Sequence, residues 1–257
     1  VIYPIVMGWQ WGGGWLASIG FHDFAGSTLV HSTGGAAAFA GIMILGPRFG
    51  RFTKSGVPTP IKPFAASSIP LVTIGVFVLW LGWFGFNGGS QLALGSFTDA
   101  VSISTIFINT NLAACGGVLA AAVVTRLMFG KTDVIQMLNG AIGGLVAITA
   151  EPLAPSPLTA ILIGSVGGII VVFGTKLLFS YKLDDVVGAI PAHLFSGIWG
   201  TLAVPLTNTD ATFSAQLIGV VSVNVFVFIV SYFIWSIMNS LFGITLSKEA
   251  QAKGTDV

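Results

Sequence analysis

The chain has 257 residues, 54% hydrophobic and 7% charged, with a formal charge of +1 at pH 7. Soluble domains carry roughly 25% charged residues, so the composition excludes a soluble globular fold and points to an all-α polytopic membrane protein. The near-neutral sum says little about partners, because the placement of the charges matters more; no nucleic-acid partner is expected.

Residues 1–21 read ambiguously. VIYPIVMGW has the character of the end of an earlier span, and QWGGGWLASIGF that of an interfacial loop, with Trp9, Trp11 and Trp15 at the membrane–water boundary. With no initiator methionine and no signal peptide before the first span, the sequence is expected to be a piece of something longer. Seven apolar runs of span length follow, at residues 27–45, 64–87, 102–127, 134–150, 158–179, 186–206 and 213–242. The expected organisation is one transmembrane domain: 1–26 the end of an earlier span and an outer loop, 27–242 seven spans, and 243–257 a cytoplasmic tail. Many of the 34 glycines fall inside the apolar runs, where small residues let helices approach. The single cysteine, Cys115, excludes an intramolecular disulfide.

All ten basic residues fall in alternate connections: Arg48, Arg51, Lys54 and Lys62; Arg126 and Lys131; Lys176 and Lys182; Lys248 and Lys253. The positive-inside rule makes those connections, and the C-terminus, cytoplasmic. The opposite connections carry Asp23, Asp99, Glu151 and Asp210, a mildly acidic face that favours an incoming cation.

Two histidines lie within spans, His31 in STLVHSTGGAAAFAG and His193 in VVGAIPAHLFSGIWGTLAV. An ionisable group in hydrocarbon costs at least ~2.5 kcal/mol, so it marks a pathway, ligand or partner by default. The bland alternative is a hydrogen bond between packed helices, worth ~0.6 to 2 kcal/mol. Each histidine follows an aspartate by eight residues, Asp23 and Asp185, on spans of opposite direction, and eight residues of helix rise about 12 Å. The two imidazoles therefore approach the bilayer centre from opposite faces. His31 and His193 are each followed four residues later by glycine, Gly35 and Gly197, a weak echo of the kind that inverted repeats generate.

Other candidates have two readings. Aromatic faces attract cations by ~0.5 to 2 kcal/mol, so Trp11 and Phe86, with hydroxyls nearby and LWLGWFGFNGGS ending in Asn87, two glycines and Ser90, suit a wet cation vestibule. They equally suit an ordinary aromatic belt. Asp23 is a natural helix N-cap, and its field also serves a vestibule. Thr149 sits at the end of the fourth full span, beside a proline-enforced loop. His22 reads as a solvated interfacial residue and Glu151 has no motif behind it; neither receives a role. Asp184 and Asp185 read as helix-capping acids. No nucleotide-phosphate loop, zinc spacing or nucleophile motif appears, and two histidines are too few for a closed metal site. No enzyme activity, metal or cofactor is expected.

FHDFAGSTLVHSTGG resembles the ammonium transporter family (Amt/Mep/Rh). Further resemblances follow in order: WGGGWL, LGWFGFNGGS, NGAIGGLVAITA, LDDVVGAIPAHLFSGIWGTLAV and the tail GITLSKEAQAKGTDV, so the resemblance covers nearly the whole chain. It implies an eleven-helix inverted-repeat fold, of which this chain is the C-terminal two-thirds, and homotrimers with one pore per subunit. The preceding segment would carry an outer gate phenylalanine and part of the pore wall. By resemblance, Trp11 and Ser90 recruit ammonium, Thr149 lies near the vestibule, Phe86 is one of two stacked gate phenylalanines, Asp23 is the vestibule acid, and His31 and His193 are twin pore histidines. The chain departs from the family at Leu194, where glycine is usual, and at Asn139, where serine is often found; Leu194 is expected to narrow or repack the inner half.

The implied mechanism fits the physics. Ammonium cannot shed its hydration in a narrow apolar pore, so it is recruited outside and deprotonated, while paired imidazoles offer one donor and one acceptor. The resemblance also implies the plasma (inner) membrane and a P-II-type nitrogen regulatory protein as a partner at the cytoplasmic face. The alternative function is an ammonium-sensing membrane receptor of the same family.

Overall fold

The structure, a computed structural model, describes residues 1–52 and 64–254. Lys54 and Lys62 of the first basic connection lie outside the described residues. Helix α1 (Ile2–Gln10) leads through a glycine turn into the single-turn α2 (Trp15–Ser18). A π-helical turn, π1 (Ser27–Ser32), runs into α3 (Thr33–Leu45). Then come α4 (Ile69–Gly89), α5 (Phe97–Phe129), α6 (Val134–Ile148) and α7 (Pro157–Ser180). A second π-helical turn, π2 (Ile190–Phe195), continues into α8 (Ser196–Ala203) and a 3-10 turn (Val204–Leu206). The long α9 (Phe213–Phe242) and the short α10 (Lys248–Lys253) complete the chain.

The long helices begin where a side-chain oxygen satisfies free backbone N–H groups: Ser68, Ser96, Asp133, Ser156 and Thr212 all cap. These caps correct the expected boundaries. The span expected from residue 64 starts at Ile69, behind Ser68 and with Pro70 in its first turn. The one expected from 102 starts at Phe97, because Ser96 and Asp99 form a reciprocal capping box that an apolar-run reading leaves outside the helix.

Among the described residues seven apolar helical segments occur as expected, but five of them are long enough to cross a membrane: Ser27–Leu45, Ile69–Gly89, Phe97–Phe129, Pro157–Ser180 and Phe213–Phe242. The shorter two, Val134–Ile148 and Ile190–Leu206, have protein around them. Residues 140–148 of α6 are all buried, so this part of the helix is covered by protein rather than lipid, which relaxes the length requirement.

Close backbone approach makes this possible. A Cβ on Gly117 of α5 would strike the Gly140 carbonyl of α6, and one on Gly164 of α7 would strike Ala113 of α5. Two apolar clusters flank the π turns. One joins Val6, Leu29, Ala36, Ile190, Leu194, Val223 and Val227; the other joins Trp83, Ala114, Leu145, Val146, Val171 and Ala192. Outward faces carry exposed Leu71, Val78, Leu81, Phe233 and Leu241, the surface a bilayer covers.

At one end, Asp184 accepts from Arg48 Nε at 2.7 Å, Arg48 Nη2 at 2.8 Å and Arg51 Nε at 3.2 Å. Asp184 is thus an ion-pair partner and not the helix cap expected; Asp185 does cap, taking the N–H groups of Gly188, Ala189 and Ile190. Gln251 of α10 accepts from Phe49 N–H at 2.8 Å, which brings the tail to the same end.

A histidine dyad held by two capped π turns

Asp23 is completely buried, and its carboxylate takes four backbone N–H groups. Oδ1 accepts from Gly26 and Ser27, and Oδ2 from Thr28 and Leu29, all within 2.8–3.0 Å. Burial pushes this carboxyl up to about 6, with the four donors pulling the other way. The cap starts π1 and fixes where His31 falls. Asp185 does the same for π2 and His193. A π turn carries one extra residue per turn and is often found at functional sites; here each holds one of the two intramembrane histidines.

The two imidazoles meet. His31 Nδ1 lies 3.3 Å from His193 Nδ1, and the rings stack at 5.3 Å between centroids and 24° between planes. One Nδ1 must carry the proton and the other accept it, so the outer nitrogens differ: one Nε2 is an acceptor and the other a donor. His31 Nε2 is buried without a hydrogen-bond partner among the described residues. A buried polar atom left in this way points to a ligand.

Aromatic rings cover the His31 side of the dyad. Trp83 stacks on His31 at 4.8 Å and 18°, and Phe86 lies 5.3 Å from His31 and 5.7 Å from Trp83. Sequence analysis missed Trp83. The signal was present, since Trp83, Phe86 and Ser90 stand at i, i+3 and i+7, one face of a helix. Ser90 Oγ donates to the Phe86 carbonyl at 2.9 Å. Asn87, expected at a wet helix end, is fully buried instead and donates to Thr110 Oγ1 at 3.0 Å.

Thr149 lies behind Trp83, fully buried. Its hydroxyl donates to the Leu145 carbonyl at 2.7 Å and accepts from Trp83 Nε1 at 2.9 Å, so it orients the indole. Trp11, 39% exposed, donates from Nε1 to the Asp23 carbonyl at 2.8 Å. All seven residues expected at the site therefore lie on one connected path: Trp11 to Asp23 to π1, then His31 and His193, then Phe86 with Ser90, and Thr149 through Trp83.

Leu194 is buried and packs against Gly35 of α3, where a Cβ would strike the Leu194 backbone. It forms part of the π2–α3 contact. Asn139 donates to the Val187 carbonyl at 2.9 Å and holds the loop before π2. His22 and Glu151, given no role above, are paired at 3.0 Å.

Buried helices that carry a polar dyad inside apolar walls define a polytopic membrane protein with an internal polar site. The chain belongs to the ammonium transporter family, whose pattern it matches over residues 1–257. The relative sll1017 of Synechocystis sp. is 44% identical over 262 residues, covering 100% of this chain and 58% of that protein. Ammonium transporter Amt2 of Archaeoglobus fulgidus is 40% identical over 287 residues, covering 100% of this chain and 60% of that protein. Among solved structures, one titled Sensor Amt Protein superposes with a TM-score of 0.93 at 31% identity, over 100% of this chain and 66% of that one. Candida albicans Mep2 superposes at 0.85 and 29%, over 97% and 58%. The chain thus spans about three-fifths of the length of these curated relatives.

Proposed function

We propose that the protein containing this chain moves ammonium or ammonia across a membrane. The cation is recruited at the outer aromatic end by Trp11, Phe86 and Ser90 and deprotonated there, and ammonia then passes the His31–His193 dyad. The observation that carries this reading is His31 Nε2, a buried polar atom with no partner among the described residues, set in apolar walls beside a second imidazole. Ammonia both donates and accepts, and the dyad offers one atom of each kind. An apolar wall favours the neutral molecule over the ion, whose desolvation costs far more.

The family supports three further assignments: a homotrimer, a plasma (inner) membrane location with a cytoplasmic C-terminus, and a P-II-type nitrogen regulatory protein as a cytoplasmic partner. A second reading, an ammonium-sensing receptor, is favoured by the superposition on a structure titled Sensor Amt Protein.

The test is methylammonium uptake into proteoliposomes by the protein expressed from its complete gene. His31→Ala and His193→Ala should each lower uptake about tenfold or more, the scale of removing one buried hydrogen-bonding group. Unchanged flux in both variants, with discrimination against potassium retained, overturns the pore. Wild-type protein that binds methylammonium without moving it establishes the sensor reading instead.

A further inference from the structure

The outer end carries a polar assembly that the transport reading does not use. The loop before π1 donates to free carbonyls at the C-terminal end of α6. Phe24 N–H donates to the Ala150 carbonyl at 2.8 Å, and Ala25 N–H to the Thr149 carbonyl at 3.0 Å. Beyond these two hydrogen bonds the side chains meet, with His22 Nε2 3.0 Å from Glu151 Oε2.

Both partners are held in place. Gln216 of α9 accepts from His22 N–H and donates to the His22 carbonyl, each at 2.7 Å. The Glu151 carboxylate also accepts from Asn208 Nδ2 at 2.8 Å and from the Leu153 and Ala154 N–H groups at 3.3 and 3.2 Å. Three connections of the outer end, 19–26, 149–156 and 207–212, thus converge on one carboxylate. The His22 side chain is 34% exposed and that of Glu151 7%. The His22 ring thus reaches the surface by its outer edge, while its Nε2 and the Glu151 carboxylate are buried.

We propose that His22 and Glu151 are a positioning pair for the outer entrance, whose charge contact fastens residues 22–25 to 149–151 and so, through Thr149, holds Trp83 on His31. The coupling is short. Thr149, two residues from Glu151, shares its carbonyl with Ala25 and its hydroxyl with Trp83 Nε1, and Trp83 stacks on His31. Loosening the His22–Glu151 contact shifts the Thr149 backbone and with it the indole. This assignment rests on the transport reading above.

The groups facing the pair fix the sign of its pH dependence. From its own connection His22 meets Asp23; from α9 it meets the neutral Gln216; from 207–212 the pair meets Asn208, whose side chain is in turn held by the Asp210 N–H. Asp99, the remaining acid of this end, is taken up in the Ser96 capping box. No lysine or arginine falls in these connections. The Glu151 contact, outweighing burial, raises His22 above the usual histidine value, and Asp23 adds to it. Burial works to raise the Glu151 carboxyl, but His22, Asn208 and the Ala154 N–H together take it below the usual carboxylate value. The pair is therefore charged on both sides at mildly acidic pH and is lost as pH rises through the elevated imidazole value.

The experiment measures methylammonium uptake against external pH from ~6 to ~8.5, spanning the histidine range, for wild type, His22→Gln, His22→Lys, Glu151→Gln and the double variant His22→Gln/Glu151→Gln. In the wild type the apparent KM rises roughly two- to fivefold with pH, the range of a part-exposed ion pair. His22→Gln holds the high value at every pH, and His22→Lys, whose charge persists, holds the low one. Adding His22→Gln to Glu151→Gln changes nothing further. Tryptophan emission gives a readout independent of transport. Its pH-dependent change should disappear in His22→Gln and in Trp83→Phe alike. If wild type shows no uptake, the transport reading fails and emission alone decides the pair. If both KM and emission follow pH equally in wild type and His22→Gln, the pair positions nothing and the proposal is overturned.

Discussion

At the residue scale, the dyad depends on a side chain that touches neither histidine. Thr149 Oγ1 is the acceptor for Trp83 Nε1, in a place where no water can substitute. Thr149→Val keeps the shape and removes the acceptor, leaving a buried indole N–H unpaired at a cost of about 1–3 kcal/mol. The expected outcome is a lower melting temperature in detergent together with reduced uptake, both recovered in Thr149→Ser. A valine variant as active and as stable as wild type would show that the indole is held by stacking alone. Sequence reading found Thr149 but not its use, because a hydroxyl at a helix end gives no hint of which indole will reach it. Trp83 was hidden for the opposite reason: in a chain with seven tryptophans, another one inside an apolar span reads as lipid-facing bulk. Its place on one helical face with Phe86 and Ser90 was the usable clue.

At the scale of elements, the same short pattern builds both halves of the site. Asp23, Gly26, His31 and Gly35 recur as Asp185, Gly188, His193 and Gly197, at identical spacing. Each position has a physical task. The aspartate caps the π turn; the first glycine takes a left-handed backbone, φ +117° at Gly26 and +78° at Gly188; the histidine follows on the turn. The second glycine admits the opposite segment, with Gly35 against Leu194 and Gly197 against the Ser27 carbonyl. The His-to-Gly spacing alone is too common in a glycine-rich chain to carry weight, and the aspartate and first glycine are what make the repeat specific. What the sequence could not show was the π geometry, which arises where the two segments cross. The caps lead to a graded prediction. Asp23→Ala leaves four N–H groups without an acceptor and should abolish stable folding, whereas Asp23→Asn retains one oxygen for two of them and sets an NH2 against the rest. Asparagine should therefore give a protein destabilised by more than ~2 kcal/mol, at 1–3 kcal/mol per unpaired donor, yet still recoverable. Size-exclusion profiles and thermal melts of the two variants check the order; equal behaviour would mean that the carboxylate acts by charge and not as an acceptor.

At the scale of the whole molecule, charge placement was the most legible feature and span length the least. Hydropathy could not distinguish Val134–Ile148 from a true span, because burial by protein and burial by lipid call for the same residues. The alternation of basic and acidic connections does have structural counterparts. Asp184 joins Arg48 and Arg51 to the 180–185 connection, the tail docks on Phe49 at that end, and Glu151 gathers three connections at the other. Two ends held together by different charges give an orientation that labelling can read. In a cysteine-free background of the protein from its complete gene, with Cys115→Ser among the replacements, Lys182→Cys and Lys253→Cys should react with a membrane-impermeant maleimide only after the cells are permeabilised, and Asp210→Cys in intact cells. Lys182 and Lys253 lie away from the dyad, and Asp210 touches the outer assembly through its backbone N–H alone, which cysteine keeps, so the labelling reports orientation and not damage to the site. The reverse pattern would place the Trp11–Phe86 end inside the cell, and the recruitment step would then act on export. Labelling of Lys182→Cys and Asp210→Cys from the same side would separate the charge pattern from the membrane altogether, since the helices between those residues would no longer carry the chain across.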